Sequence, residues 1–171
     1  MKKLQFVHKG RVFDFVREKV TLPNGLKKHY DFVKHRGAVV IIPFLSKDKA
    51  VIIRQFRIAL NSYIFELPAG SIDKGETPAA CVRRELAEEI NYKTGKIEKI
   101  GRLFPCPGYS TEILHIFKAT GLKPINEDSV KDEDEIIEPI VVSRARVRKM
   151  FKNGKILDAK TIASFAMIGW L

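Results

Sequence analysis

The chain of 171 residues contains few of the features that mark secreted, membrane-spanning or disulfide-rich proteins. Its two cysteines, Cys81 and Cys106, are too few for a disulfide framework and do not form a CxxC pair. No apolar run reaches the roughly 18 residues of a transmembrane helix. Lys9 and Arg11 interrupt any hydrophobic region of a signal peptide. We therefore expect a cytoplasmic protein with reduced cysteines and no membrane partner.

The chain also has fewer acidic than basic residues, with 20 aspartates and glutamates, 31 lysines and arginines, and a net charge of +11. A net positive charge favours the binding of nucleic acids, and it favours the binding of small anionic substrates equally well. The basic residues are scattered along the chain, and their densest cluster is typical of one solvated helix face. That cluster comprises Arg144, Arg146, Arg148, Lys149 and Lys152. We expect no nucleic-acid partner.

Against this basic background, four glutamates fall within one short segment, residues 70–92. Glu85, Glu88 and Glu89 are spaced i, i+3 and i+4, which brings them to one face of a helix. Such spacing most often marks an exposed, salt-bridged helix surface. The alternative is a site for a hard divalent cation such as Mg²⁺, which prefers oxygen ligands. The segment before the helix favours the metal, because Gly70 permits a sharp turn that can point a carbonyl at the helix.

Local signals place this helix at residues 78–90. Pro78 occupies the favoured first position and Thr77 is a suitable N-cap. Asn91 lies just beyond the end, where a left-handed residue is often needed.

The remaining pattern predicts an α/β/α sandwich around a mixed sheet, preceded by a small N-terminal antiparallel sheet. Residues 1–36 would form that small sheet and residues 37–171 the main domain, with Gly37 at the joint. An acidic loop is expected at 127–138. The predicted strands are 11–21, 28–35, 38–45, 50–55, 63–67, 97–104, 112–119 and 140–142, and the predicted later helices are 143–152 and 159–171.

Several fixed positions around the helix resemble the signature of the Nudix hydrolases. The matching residues are Gly70, Glu76 and the run Arg84-Glu85-Leu86-Ala87-Glu88-Glu89. Asn91 and Tyr92 depart from the usual glycine and aliphatic residue, but neither departure affects a carboxylate. The resemblance implies a Nudix fold and metal-dependent hydrolysis of a nucleoside diphosphate linked to another group.

The flanking segments resemble the ADP-ribose and nucleotide-sugar pyrophosphatase branch of that family. They are Arg54-Gln55-Phe56-Arg57, Glu66-Leu67-Pro68-Ala69-Gly70, Pro105 to Glu112, and Asp158 to Ile162. The resemblance implies hydrolysis of ADP-ribose to AMP and ribose 5-phosphate by a homodimer joined through the N-terminal sheet. A hydrolase of another nucleotide sugar, such as GDP-mannose, is the main alternative. A non-catalytic nucleotide sensor is a weaker one, because the carboxylates are intact.

The same resemblance implies the metal ligands. Glu85, Glu88 and Glu89 would hold Mg²⁺, or alternatively Mn²⁺, together with the backbone carbonyl of Ala69. Arg84 would complete the catalytic helix by fixing the positions of these carboxylates, with Glu76 orienting it.

The resemblance also implies where the substrate and the base lie. Arg57 would contact the diphosphate or the terminal ribose, Glu112 would bind substrate hydroxyls or water, and Arg54 is a further substrate-binding candidate. A glutamate of the acidic loop would act as general base. Glu135 is the best match for that role and Glu133 the second.

Overall fold

The protein is described by a computed structural model that covers residues 4–125 and 136–171. The helices are α1 (Pro78–Ile90), α2 (Arg144–Lys152) and α3 (Ala159–Met167), with a short 3-10 turn at Ile58–Leu60. The strands are β1 (Leu4–Lys9), β2 (Phe13–Thr21), β3 (Lys27–His35), β4 (Ala38–Ser46), β5 (Lys49–Arg57), β6 (Ser62–Glu66), β7 (Ala69–Ser71), β8 (Tyr92–Lys93), β9 (Lys96–Leu103), β10 (Leu114–Thr120), β11 (Lys123–Pro124) and β12 (Ile137–Ser143).

A mixed sheet forms the centre of the described structure. Its main strand order is β12-β5-β4-β10-β9, with β6 also pairing with β5 and β7 with β4. The β4–β10 pair is parallel and the other pairs are antiparallel. Strand β4 carries a continuous apolar sequence because both of its faces are buried.

Helices cover both faces of this sheet, and successive residues of β4 point into different cores. Val39 and Ile41 pack in the core that contains α1, whereas Val40 and Ile42 pack in the core that contains α2 and α3. The predicted α/β/α sandwich is therefore confirmed. Within the described residues, no helix is both long and apolar enough to cross a membrane.

The small antiparallel sheet of β1, β2 and β3 precedes the sandwich. The expected β2–β3 hairpin is present, but β1 was not predicted from the sequence. The sheet contacts the sandwich through Val33, whose amide donates to the carbonyl of Tyr109 at 2.8 Å and whose carbonyl accepts from Thr111 at 3.0 Å. Gly37 lies at the joint with a φ of 98°, which requires glycine-like freedom.

Two boundaries differ from the sequence-based predictions by three residues or more, and each has a local cause. Helix α3 ends at Met167 rather than at residue 171, because Gly169 adopts a φ of 70° and begins a Schellman cap. In that cap, Trp170 stacks on Phe165 with a centroid separation of 5.5 Å. Strand β12 begins at Ile137, within the predicted acidic loop. Pro139 is tolerated there because β12 lies at the sheet edge.

The basic face of α2 is less fully solvated than its sequence suggests. Arg144 donates to the carbonyl of Gly169, and Arg148 donates to the carbonyl of Trp170 at 2.8 Å. Part of the densest basic cluster therefore holds the C-terminal segment against the sandwich.

Candidate active site

The carboxylate helix α1 is placed by the caps that the sequence predicted. The Thr77 hydroxyl accepts from the amide of Ala80 at 3.2 Å, and Pro78 stands at the first position of the helix. Asn91 ends the helix in the left-handed conformation with a φ of 60°. These local signals fix which turns of the helix carry the glutamates.

Two of the glutamates are packed against β7. A Cβ atom on Gly70 would lie 1.6 Å from Oε1 of Glu85, so only glycine leaves room for that carboxylate. Glu89 accepts a hydrogen bond from the amide of Ala69 at 3.0 Å. Glu85 is 7% exposed and Glu89 is 3% exposed. The sequence therefore folds so that residues 69 and 70 hold two buried carboxylates side by side.

Arg84 joins the glutamates into one network. Its Nη1 donates to Glu85 at 2.6 Å and to Glu88 at 2.9 Å, and its Nε donates to Glu76 at 3.0 Å. Its Nη2 also reaches the carbonyl of Ser71 at 3.1 Å. The predicted contacts of Arg84 with Glu76 and Glu88 are both present. The Glu88 side chain is the most open of the three helix carboxylates, at 39% exposed.

This network shifts the pKa values of Glu76 and Arg84 in the expected directions. The hydrogen bonds from Arg84 lower the pKa of Glu76, and the same contact is the main cause of a raised pKa for Arg84. Burial raises the pKa of the Cys81 thiol, which lies under Gly70 and Ser71. Cys81 therefore behaves as a packed, protonated side chain, and both cysteines are free thiols in the described structure.

A cavity of about 340 Å³ lies beside β7. Two of the predicted substrate-binding residues, Arg57 and Glu112, line it together with Ala69, Gly70 and Ser71. The structure therefore brings these two side chains to the β7 backbone, whose residues Ala69 and Gly70 contact the carboxylates of α1, although no residue of α1 itself lines the cavity.

Arg54 is not among the residues that line this cavity. Its guanidinium lies over the ring of Tyr63 at 3.8 Å and donates to Glu138 at 3.4 Å. It thus contacts side chains of both strands that flank β5 at this point, β6 and β12.

A second charged network on the cavity wall was not predicted from the sequence. Glu66 has a fully buried side chain and accepts two hydrogen bonds from Arg57, at 2.7 and 2.8 Å, and a third from Lys160. Burial alone would raise the pKa of Glu66, but the contacts with Arg57 and Lys160 outweigh burial and lower it. One signal in the sequence was available: an acidic residue ends β6 (Ser62–Glu66) directly after the apolar residues Tyr63, Ile64 and Phe65, a place where an unpaired charge would be costly.

Comparison with known proteins identifies the family. The NUDIX domain model matches residues 34–165, which is most of the chain. This chain belongs to the NUDIX family. The predicted class, a Nudix pyrophosphatase, is thereby confirmed.

Individual Nudix relatives extend this comparison. The chain is 37% identical to an ADP-ribose pyrophosphatase of Bacillus subtilis, over 91% of this chain and 84% of that protein. It is 34% identical to a methanol dehydrogenase activator of Bacillus methanolicus, over 94% and 86%, and 31% identical to a GDP-mannose pyrophosphatase of Citrobacter koseri, over 92% and 84%. A crystal structure of an ADP compounds hydrolase superposes with a TM-score of 0.79 over 97% of this chain and 89% of that one, at 22% identity, which supports the fold.

Nudix hydrolases generally use divalent metals, and the donor set of α1 fits such an ion. Glu85, Glu88 and Glu89 offer oxygens only, which is the chemistry that Mg²⁺ prefers. The space that Gly70 leaves for Glu85 is a cradle that any side chain would fill. Within the described residues, however, no group of three or more acidic, histidine or cysteine side chains is already placed to hold a metal ion, and Arg84 donates to two of the carboxylates.

The predicted general bases of this Nudix chain lie outside the described residues. Glu135 and its alternative Glu133 both fall in 126–135, and their roles remain predictions. The adjoining strand β12 pairs from Ile137 onward with β5, and β5 is the strand that ends at Arg57.

Proposed function

We propose that this protein is a Mg²⁺-dependent hydrolase that cleaves the diphosphate of ADP-ribose into AMP and ribose 5-phosphate. The observation that carries the proposal is the cavity beside β7, which is lined by Gly70, the residue that leaves room for the Glu85 carboxylate, and by the cation Arg57. A diphosphate needs positive charge on both sides, from a metal ion and from the protein. The name of the 37% identical relative supports ADP-ribose as the substrate.

Glu85, Glu88, Glu89 and the carbonyl of Ala69 would hold the metal. When bound, Mg²⁺ supplies charge neutralisation to the diphosphate. Arg84 keeps the carboxylates in position, which is the role that its three carboxylate contacts support.

The chain's own residues would then handle the proton and the substrate. Arg57 would orient the diphosphate, and Glu112 would bind a substrate hydroxyl or a water molecule. Glu135 would accept a proton from the attacking water. The water oxygen would form a bond to one phosphorus, and the bridging oxygen would leave with the other phosphate. A base outside α1 is chemically reasonable, because carboxylates that bind a cation are poor proton acceptors.

We further propose a homodimer joined through the small N-terminal sheet, residues 1–36, and a cytoplasmic location. Support for the dimer comes from apolar side chains on that sheet that are exposed in the single chain. They are Val7, Val12, Phe13, Phe15, Leu26 and Tyr30. The two free thiols support the location. Light scattering across a range of protein concentrations tests the dimer directly.

Hydrolysis of GDP-mannose is a second candidate, favoured by the 31% identical GDP-mannose pyrophosphatase. One experiment separates the two. Products are measured from a panel of nucleoside diphosphate compounds, including ADP-ribose and GDP-mannose, with Mg²⁺ and with Mn²⁺. We expect ADP-ribose to give the highest kcat/KM. A preference for GDP-mannose would refute the substrate assignment, and no turnover of any compound would favour the non-catalytic sensor.

A further inference from the structure

A nearly buried histidine lies behind the wall of the β7 cavity. His35 ends β3, and its side chain is 8% exposed. It is not among the residues that line the cavity, but two residues close to its ring are, Ser71 on β7 and Glu112 just before β10. The function proposed above gives a role to Glu112 but none to His35 or to the Ser71 side chain.

Main-chain hydrogen bonds hold the segment that carries His35 against the segment that carries Glu112. The His35 amide donates to the hydroxyl of Thr111 at 3.0 Å, and that hydroxyl donates to the His35 carbonyl at 3.3 Å. Three residues further on, the amide of Ala38 donates to the carbonyl of Ile113 at 2.9 Å. Both chain neighbours of Glu112 are therefore anchored to the segment of His35.

The hydrogen bonds of the imidazole ring assign its tautomer. The amide of Gly37 donates to Nδ1 of His35 at 2.9 Å, so Nδ1 carries a lone pair and no hydrogen. The ring is then neutral, and its one N–H is on Nε2. Nε2 lies 3.5 Å from Oγ of Ser71, at the long end of the hydrogen-bond range. His35 thus directs its N–H towards the Ser71 hydroxyl.

This tautomer determines what Ser71 offers to a ligand. A hydroxyl has one hydrogen to donate and two lone pairs that accept. Because the N–H of His35 points at a lone pair of Ser71, the hydroxyl hydrogen is directed away from the ring. Ser71 lines the cavity, so this hydrogen is available to an oxygen atom bound there.

Glu112 offers the opposite chemistry in the same cavity. Its Oε1 lies 3.9 Å from Nδ1 of His35, but Nδ1 has no hydrogen to donate. The carboxylate therefore remains an acceptor for a ligand. A group bound beside Glu112 must donate a hydrogen bond, whereas a group bound beside Ser71 must accept one.

A sugar is the part of the proposed substrate that meets both requirements. Each hydroxyl group can donate and accept, so the hydroxyls of one sugar can serve Glu112 and Ser71 together. The charged phosphate oxygens only accept hydrogen bonds, and the negative charge of Glu112 would repel them. Arg57 therefore suits the diphosphate, and the pair of Ser71 and Glu112 suits the sugar.

We propose that the Ser71 hydroxyl binds the sugar that is joined to the diphosphate, and that His35 is the positioning residue that directs the hydroxyl hydrogen into the cavity. The proposal deepens the function proposed above and rests on it for the presence of such a sugar. A site of this kind selects for hydroxyl groups, because its own polar groups stay unpaired when the ligand lacks them.

Ser71 is tested by calorimetric titration of two ligands in EDTA, which removes the metal so that turnover does not contribute. One ligand is ADP-ribose, and the other is the pentyl ester of ADP, in which an alkyl chain replaces the terminal ribose. We expect Ser71→Ala to weaken the binding of ADP-ribose about 5- to 10-fold, because one neutral hydrogen bond is lost, and that of the ester less than about twofold. The control is Ser46→Ala, at the exposed end of β4, which should bind both ligands as the wild type does.

His35 is tested by His35→Asn, which keeps an acceptor for the amide of Gly37 and removes the donor at Nε2. We expect this variant to bind ADP-ribose about 3- to 5-fold more weakly, with no further loss when Ser71 is already alanine, because His35 acts through that hydroxyl. His35→Gln, whose amide N–H lies near the place of Nε2, should recover part of the loss. His29→Asn, exposed on the same strand, is the control.

Two further measurements separate positioning from a purely structural role. Nitrogen-15 NMR of the His35 ring should show the neutral Nε2–H tautomer at neutral pH, and a hydrogen on Nδ1 would refute the positioning role. Circular dichroism melting shows whether each variant is folded at the temperature of the titration. A structural role would weaken ADP-ribose and the ester equally, and its effect would add to that of Ser71→Ala.

Failure of this proposal and failure of the proposed function give different results. If the wild type does not bind ADP-ribose more tightly than the ester, or if Ser71→Ala leaves the ratio of the two affinities unchanged, the sugar-binding role of Ser71 is refuted, even where ADP-ribose is hydrolysed. If that ratio depends on Ser71 but ADP-ribose is not hydrolysed with Mg²⁺, the sugar site stands and the proposed hydrolase function fails.

Discussion

Two charged networks meet at β7, and they are built in opposite ways. On α1, one arginine is shared among Glu76, Glu85 and Glu88. Behind the cavity, one carboxylate, Glu66, is shared between Arg57 and Lys160. The first network has more negative than positive members, whereas the second is balanced once Asp158 is included.

This difference indicates which network is completed by something the chain does not supply. A buried excess of carboxylates is unstable unless another cation joins it, which suits a metal site. A balanced network is already satisfied and can present its spare donors to an anion without rearranging. The contrast predicts that substitutions on α1 affect metal-dependent chemistry, while substitutions around Glu66 affect binding.

The largest expected effect comes from Glu89→Gln, which removes a buried negative charge beside the α1 network and keeps the shape of the side chain. We expect kcat for ADP-ribose to fall about 1,000-fold, because a metal contact is lost where charge develops in the transition state. AMP release measured at saturating Mg²⁺ checks this. Glu98→Gln, at an exposed position on β9, is the control. A loss below about tenfold would remove the distinction between the two networks.

The next effect concerns a residue assigned to neither network. Glu135→Gln should reduce kcat at least about 100-fold and leave KM nearly unchanged, because it removes the proton acceptor but no diphosphate contact. The same assay on Glu133→Gln distinguishes the two candidates. A larger loss in Glu133→Gln would move the base by two residues.

A smaller effect is expected from Gly70→Ala, which tests whether the α1 network depends on its cradle. The added Cβ would displace the Glu85 carboxylate and raise the Mg²⁺ concentration needed for half-maximal activity about 10-fold or more. Gly108→Ala is the matched control, since a Cβ there would have no neighbour within 4 Å among the described residues. Equal Mg²⁺ dependence in the two variants would contradict a cradle role.

The smallest effect concerns stability and pH. Arg84 lowers the pKa of Glu76 below its ordinary 4.5. This contact therefore stabilises the fold above pH 4.5 and is lost as the pH falls through the lowered pKa. Urea unfolding should show a smaller loss of stability on acidification for Arg84→Met than for the wild type, by no more than about 1 kcal/mol. Arg83→Met, on the exposed side of the same helix, should follow the wild type.

The sequence predicted one network and missed the other for a physical reason. Glu85, Glu88 and Glu89 lie on one helix, so helix periodicity and a cap at Thr77 were enough to predict their common face, whereas the role of Glu76 came from the resemblance to the Nudix signature. Glu66 and Lys160 are 94 residues apart and meet only because α3 packs against the central sheet, where Thr161 accepts from the amide of Leu67. The strand Ile137–Ser143 was underestimated similarly, because its pairing with β5 overrides its acidic and proline-containing sequence.

The junction between the small sheet and the sandwich has a consequence for how such an enzyme can diversify. Val33 is hydrogen-bonded to Tyr109 and Thr111, and Thr111 immediately precedes the cavity residue Glu112. Changes in the N-terminal sheet can thus alter the position of one cavity wall while the helix that carries the carboxylates keeps its own caps and partners. One wall residue of the cavity and the carboxylates of α1 are thus supported by separate parts of the chain, so a substitution that affects one need not disturb the other.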